Sequence, residues 1–297
     1  MSTPPKNAKK ILTTYMRMIK FSHTLFALPF ALAAVVVIYT RYPNLVSLPY
    51  TKILWILAAF TGMRSFAMAV NRIADRAIDA KNPRTQNREI PVGALSVKAV
   101  AVFAFISLGV LCISAYMLSP LAAYLALPAA IAVAFYSYTK RFTWLCHFWL
   151  GFAIGMAPLA VYIALIADIR IEAILMGASL AFYIAGFDIL YALQDIAFDK
   201  ENGVYSIPAR FGIHGAMWIS RVSHSISLFF IGLLIYFLHL NFFAWIFFIL
   251  LTGLFVTEHL LVGSAKNPLF HKIPVAFFHV NSAFSFVFLS TIAVGIF

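Results

Sequence analysis

Only ten acidic side chains occur in 297 residues, and five of them, all aspartates, form two clusters with related spacing. Asp75 and Asp79 lie in AVNRIADRAIDAKNPRTQNREIP, four and eight residues after Asn71. Asp188, Asp195 and Asp199 lie in GFDILYALQDIAFDKENGVYSIP, together with Tyr191. On a helix, Asn71, Asp75 and Asp79 stack on one face, and Asp188, Tyr191, Asp195 and Asp199 share a face by the same count. Like carboxylates one turn apart repel and weaken the helix that carries them, so two such clusters call for a compensating cation. Solvated helix ends are the plain alternative, but ordinary polar ends scatter their acids instead of repeating one spacing. With no histidine or thiol beside them, these all-oxygen sets suit a hard ion, above all Mg²⁺. Such an ion is usually held by one or two carboxylates plus substrate phosphate. Two facing clusters therefore suggest metal ions that bridge the protein to a diphosphate.

The basic side chains fit the same picture. Arg64 precedes Asn71 by seven residues, on the same helical face and inside an apolar run. An arginine there is costly unless paired and is a functional candidate by default; a structural Arg64–Asp salt bridge is the alternative. Lys140 and Arg141 follow Tyr136 and Tyr138, and Arg17 and Lys20 precede the first apolar run. Each can serve simply as an anchor at a membrane boundary. Together they make a basic ring around two acid clusters, which suits a metal–diphosphate ligand.

Other chemistries lack their motifs. There is no Walker loop, no serine or cysteine nucleophile motif and no HExxH. The eight histidines include no pair at helical spacing within one span, so haem ligation has no support. Cys112 and Cys146 make neither a disulfide framework nor a zinc site. His23 stands at the start of the first span, between a substrate-contact and an interface reading, while His147, His239 and His259 read as interface or packing residues.

The elements that position these groups follow from composition. The chain is 63% hydrophobic and 11% charged, against about 45–50% and about 25% in soluble proteins, and its mean hydropathy is +0.92. That excludes a soluble domain and a disordered chain. The long unbroken apolar runs are unlike the roughly ten-residue alternation of a β-barrel. Spans of about 20 residues can be placed at 21–40, 52–71, 97–117, 120–137, 144–167, 171–191, 214–239, 241–263 and 273–297. The expectation is an all-α polytopic membrane protein, about nine transmembrane helices around a central cytoplasm-facing cavity, forming one domain over 1–297. Residues 1–20 form a basic segment whose 9–20 portion is amphipathic and suited to the membrane surface. The first apolar run is too long for a cleaved signal and reads as a retained anchor.

Placing the N-terminus in the cytoplasm puts 18 of the 22 lysines and arginines inside. Only Arg41, Lys52 and Arg170 are then outside, with Arg64 within a span. By the positive-inside rule both acid clusters face the cytoplasm from the inner membrane. The net charge of +12 thus reads as topology, with no nucleic acid as partner. Asp75 and Asp195, like Asp79 and Asp199, are 120 residues apart, and an Ile-Pro pair follows each cluster at Ile90-Pro91 and Ile207-Pro208. This is a faint parallel repeat of four spans.

The pair NxxxDxxxD (Asn71, Asp75, Asp79) and DxxYxxxDxxxD (Asp188, Tyr191, Asp195, Asp199) resembles the two signature motifs of the UbiA superfamily of intramembrane prenyltransferases. The resemblance extends over RMIKFSHTLFALPF, DAKNPRTQNREIPVG, YSYTKRFT and SIPARFG. Within the superfamily the chain resembles the 4-hydroxybenzoate polyprenyltransferase-like branch, and more narrowly the bacterial subgroup associated with menaquinone made by the futalosine route. One departure is visible: many relatives read Asn-Asp where this chain has Asn71-Arg72. The metal-binding trio stays intact, and Arg72 offers a phosphate contact.

The resemblance implies Mg²⁺-dependent transfer of a polyprenyl group from polyprenyl diphosphate to a small aromatic acid, 4-hydroxybenzoate or a dihydroxynaphthoate, in respiratory quinone biosynthesis. Asn71, Asp75 and Asp79 would hold one Mg²⁺, and Asp195 and Asp199 a second. With the metals, Arg64, Lys140, Arg141, Arg17 and Lys20 would neutralise the departing diphosphate. Tyr191 and other aromatic faces would stabilise the allylic cation, by about 0.5–2 kcal/mol each. Asp188 or Tyr191 would position the acceptor, with His23 and Tyr138 beside it; no general base is assigned, since diphosphate or water can take the proton. Thirty phenylalanines suit a groove for an isoprenoid tail that stays in the lipid bilayer. A cation or solute transporter is the main rival, but transporter sites usually lie near the bilayer midplane. A non-catalytic quinone-binding subunit gives no reason for two aspartate clusters.

Overall fold

The computed structural model describes residues 8–20, 27–46 and 50–297. His23 and the first residues of the expected span 21–40 lie outside them. The described residues are helical apart from turns and one isolated bridge between Gly263 and Pro268. A surface helix α1 (Ala8–Met18) comes first, then α2 (Leu28–Arg41), α3 (Tyr50–Lys81), α4 (Val97–Leu118), α5 (Pro120–Thr139) and α6 (Cys146–Ile166). The second half contains α7 (Ile171–Ala192), α8 (Ile196–Glu201), α9 (Ile207–Phe237), α10 (Phe242–Val262), the short turn α11 (Ile273–Val275) and α12 (Asn281–Gly295).

Among the described residues, eight helical segments are long and apolar enough to cross a membrane; α7 with α8 counts as one, and so does Phe270–Gly295. The remaining expected span, the first at 21–40, appears as α2, whose 14 described residues fall short of the about 20 that a crossing needs.

The sequence breaks sit where the local chemistry puts them. Ser96, Ser119, Ser206 and Asn241 each accept a backbone N–H within the first turn of the helix they precede. Proline follows at 120 and 208, where a helix tolerates a missing N–H. In α9, Gly212 adopts φ +70° and interrupts the helix, so a five-residue stub precedes the main span.

Two features position the site. At 32 residues, α3 is about 48 Å long by helical rise, well beyond the roughly 30 Å of hydrocarbon. Its last turns, which carry Asn71, Asp75 and Asp79, therefore reach past a hydrocarbon thickness to one end of the bundle, where Asp75 and Asp79 stay buried. The core is built on α7, which packs against α6 through small residues. A Cβ at Gly151 would meet the Ala181 carbonyl oxygen at 2.1 Å, and one at Gly155 the Gly177 carbonyl oxygen at 2.7 Å. Such small-residue seams let membrane helices approach closely. Farther in, stacked rings fill the space between α2, α7, α10 and α12: Phe30 on Phe288 at 4.0 Å, Tyr183 on Phe284 at 4.3 Å, and Phe255 on Phe284 at 4.4 Å.

Candidate active site

The two aspartate clusters meet at one end of the bundle, and each carboxylate engages a side chain from a different part of the chain. On α3, Asn71 Nδ2 donates to Asp75 Oδ2 at 2.8 Å, as the helical spacing requires. Asp75, only 1% exposed, also takes Lys140 Nζ at 2.6 Å and Arg141 Nη2 at 3.5 Å. Arg141 is braced by the carbonyls of Ser137 and Ala74, at 2.5 and 2.6 Å. One turn on, Asp79 takes Arg88 Nη1 on both oxygens at 2.8 Å.

The second cluster does not stay on one continuous helix. After Ala192 a tight turn, Leu193–Asp195, separates α7 from the six-residue α8. Asp195 Oδ1 accepts from Asn82 Nδ2 and from Arg84 Nε, both at 2.9 Å, while Arg84 Nη2 grips Oδ2. The same guanidinium donates to the Tyr191 hydroxyl at 2.9 Å and lies 4.9 Å from the centre of that ring. Asp199 Oδ2 accepts the Ser206 hydroxyl at 2.8 Å. Asp188 turns elsewhere, to His147 Nδ1 at 2.7 Å.

The segment between α3 and α4 thus stitches the clusters together: Arg88 reaches back to the first, Asn82 and Arg84 reach across to the second. Tyr205 N–H closes the rim by donating to the Lys140 carbonyl at 2.8 Å. A cleft of about 230 Å³ runs alongside, between Ala77 and Lys81 of α3, Lys140, Arg141, and Phe198 of α8. None of the five aspartates lines it.

Several expected site residues stand differently. Arg72 is 3% exposed and donates Nε and Nη2 to the Met18 carbonyl, at 3.3 and 3.2 Å. It ties α1 to α3, and one residue beyond Asn71 it lies about 100° around the helix from that side chain. Arg17 is an exposed rim residue, 3.6 Å from Glu89. Lys20 adjoins Arg88, Arg72 and Arg84; burial, then those like charges, lowers its pKa to about 8. Tyr138 is exposed and packs under Arg141 at 5.2 Å. Arg64 is half-buried in α3, deeper than Asn71.

Asn82, Arg84, Arg88, Ser206 and His147 are the residues that the sequence reading passed over as site members. By sequence Arg84 and Arg88 read only as topology charges, and His147 as an interface or packing residue.

The donors fit magnesium. Among the described residues no three His, Cys, Asp or Glu side chains gather into a metal cage. Mg²⁺ does not need one, because it keeps waters and is held through one or two carboxylates plus phosphate. Asp75 with Asn71 and Asp79, and Asp195 with Asp199, are sets of that kind.

A many-span helical bundle whose two aspartate clusters converge at one end, interlaced with arginine and lysine, is an integral membrane protein of the intramembrane-transferase type. A model of the UbiA prenyltransferase family matches residues 25–282, and the chain belongs to that family; it is a prenyltransferase. Among curated relatives, the 4-hydroxybenzoate octaprenyltransferase of Coxiella burnetii (strain CbuK_Q154) is 29% identical over 213 residues, 71% of this chain and 74% of the relative. That of Dechloromonas aromatica (strain RCB) is 31% identical over 166 residues, 55% and 56%. The apo structure of a UbiA homolog from Aeropyrum pernix K1 superposes with a TM-score of 0.80 at 26% identity, over 93% of this chain and 98% of that one. A UbiA homolog from Archaeoglobus fulgidus bound to GPP and Mg²⁺ shares the fold, with a TM-score of 0.68 at 19% identity over 94% and 99%.

Proposed function

We propose that this prenyltransferase moves a polyprenyl group from polyprenyl diphosphate to a small aromatic acid, 4-hydroxybenzoate or a dihydroxynaphthoate, in respiratory quinone biosynthesis. The whole chain, 1–297, acts as one catalytic unit in the inner membrane, with its N-terminus and active face cytoplasmic. The observation that carries the reading is the interlacing of Asp75 with Lys140 and of Asp195 with Arg84 at one end of the bundle. Oxygen donors and cationic donors stand within hydrogen-bond reach of each other, which is the mixture a metal diphosphate requires and an alkali-cation pathway does not.

In this reading Asn71, Asp75 and Asp79 hold one Mg²⁺, and Asp195 and Asp199 another. Bound magnesium offsets the charge that develops on the departing diphosphate. Lys140, Arg141, Arg84 and Arg88 supply further positive charge, preorganised because each is already fixed by a carboxylate or a carbonyl, and Lys20 adds to it from beside the arginines. The Tyr191 ring, held by Arg84, presents an aromatic face to the cation-like allylic carbon. Asp188, three residues before Tyr191, orients the hydroxyl of the acceptor. The polyprenyl tail stays in the bilayer.

The test is turnover by purified protein in detergent with Mg²⁺ and a polyprenyl diphosphate. 4-Hydroxybenzoate and 1,4-dihydroxy-6-naphthoate are offered side by side and products identified by mass. A prenylated product from either is expected, and which one forms assigns the quinone. Folded protein that leaves the donor and both acceptors unchanged overturns the acceptor class.

A further inference from the structure

We propose that His147 is the positioning residue for Asp188, fixing that carboxylate so that it orients the aromatic acceptor; this rests on the acceptor reading above. His147 stands in the first turn of α6, is 4% exposed, and joins three elements through one ring. Nδ1 lies 2.7 Å from Asp188 Oδ2 on α7, and the backbone N–H of Ile207, at the start of α9, donates to Nε2 at 3.3 Å. A peptide N–H can only donate, so Nε2 carries the lone pair and Nδ1 the hydrogen. That tautomer points the Nδ1–H at Asp188, which is all the positioning role requires.

The arrangement is directional. The His147 side chain is 4% exposed and that of Asp188 18%, so the carboxylate opens toward solvent-accessible space while the imidazole closes it from behind. A donor bound to one oxygen holds the carboxylate in one rotamer and leaves the other oxygen to accept a hydroxyl. Asp188 is also one turn from Tyr191, whose hydroxyl is tied through Arg84 to Asp195. The acceptor hydroxyl would thus be gripped beside the cluster that handles the diphosphate, and orienting two reactants is where positioning has its largest kinetic effect. Ser206, next to Ile207, binds Asp199, so the start of α9 aligns both aspartates at once.

The experiment is a double-mutant cycle on the full-length protein in detergent, read in binding of 4-hydroxybenzoate and the dihydroxynaphthoate with a prenyl thiodiphosphate and Mg²⁺ present. Turnover is measured in parallel. His147→Ala should weaken acceptor binding and lower kcat/KM for the acceptor by about 100-fold, the scale of a 1 Å misplacement. Affinity for the thiodiphosphate should stay within about twofold, because Asp199 keeps its own bond from Ser206 when the imidazole is removed. His147→Asn, whose amide N–H occupies the place of Nδ1–H, should recover most of the loss. His147→Gln, whose longer side chain meets Ile207 instead, should behave like alanine. With Asp188→Asn as background, His147→Ala should cost little more.

Equal cost of His147→Ala in both backgrounds, a parallel fall in thiodiphosphate affinity, or His147→Asn no better than His147→Gln at unchanged melting temperature overturns the assignment. Wild-type protein that prenylates neither acceptor overturns the acceptor reading, before any variant is compared.

Discussion

The two aspartate clusters carry related spacings but relieve the same electrostatic problem in opposite ways. The first keeps its helix. Asn71, Asp75 and Asp79 stay stacked on α3, and the repulsion between Asp75 and Asp79 is answered by imported cations, Lys140 with Arg141 for one and Arg88 for the other. The second gives up its helix. Between Ala192 and Ile196 the backbone tightens into a different turn, and its three aspartates leave for three partners, His147, Arg84 with Asn82, and Ser206. One cluster is a rigid stripe of charge and the other a set of separately aimed groups. The stripe suits holding a metal; the dispersed cluster can divide its work between metal, diphosphate and acceptor.

That contrast breaks hardest at its centre. Asp75→Ala and Asp195→Ala should each abolish transfer, by at least about 1000-fold in kcat, the upper end for one preorganised electrostatic contact. Both variants should remain folded, as judged by elution and melting. Retention of near-wild-type turnover by both would sink the two-metal scheme.

Arg84 sharpens the comparison, since it serves the dispersed cluster through a fork, whereas Arg88 serves the stripe through a single nitrogen. Arg84→Lys preserves charge but not the fork, and kcat/KM for the donor should fall about 100-fold. Arg88→Lys can still place one donor between the Asp79 oxygens and should lose no more than about tenfold. These figures assume a charge-assisted bond of about 1.5–3 kcal/mol. Equal losses in steady-state kinetics would mean that the geometry of Arg84 is irrelevant.

Lys20 adds a pH signature. Burial and the neighbouring arginines lower its pKa to about 8, so the ammonium is present below that pH and lost above it. Donor affinity should therefore fall as pH rises through about 8, by up to about tenfold. Lys20→Met should bind weakly at pH 7 and show no step there. The stability sign is the reverse: between about 8 and the ordinary lysine value the unfolded chain binds the extra proton, so stability rises with pH across that window. A donor affinity that is flat from pH 7 to 9 in the wild type would remove Lys20 from the site.

The stripe was legible in the sequence because α3 is continuous, and helical spacing is a true ruler only inside one helix. The bundle was legible for a similar reason: apolar length reports a crossing directly, and the edges of α6, α7 and α10 fall within about two residues of the expected spans, the usual uncertainty of helix ends. What the ruler could not measure was the cross-chain pairing. Asp75 and Lys140 are 65 residues apart, Asp195 and Arg84 are 111, and Asp188 and His147 are 41; no periodicity relates them. Nor did anything announce the break at 193–195, for there is no glycine or proline between Gly186 and Gly203. Arg72 is the opposite case, since its angle around α3 already turned it away from the face of Asn71.

The smallest effect separates stability from chemistry. Ser206 caps α9 by accepting Ala209 N–H at 3.2 Å and also gives its hydroxyl to Asp199, whereas Ser96 caps α4 by accepting Ala99 N–H at 3.1 Å with no aspartate attached. Removing either cap should cost about 1 kcal/mol of stability, visible as similar small drops in melting temperature for Ser96→Ala and Ser206→Ala. Only Ser206→Ala also frees Asp199, and with it one of the separately aimed groups of the second cluster. Its kcat should fall severalfold and its apparent Mg²⁺ requirement should shift, while Ser96→Ala keeps wild-type kinetics. If the two variants match in kinetics as well as in melting, the bond between Ser206 and Asp199 is only part of the cap, and the second cluster divides its work among fewer groups than its geometry implies.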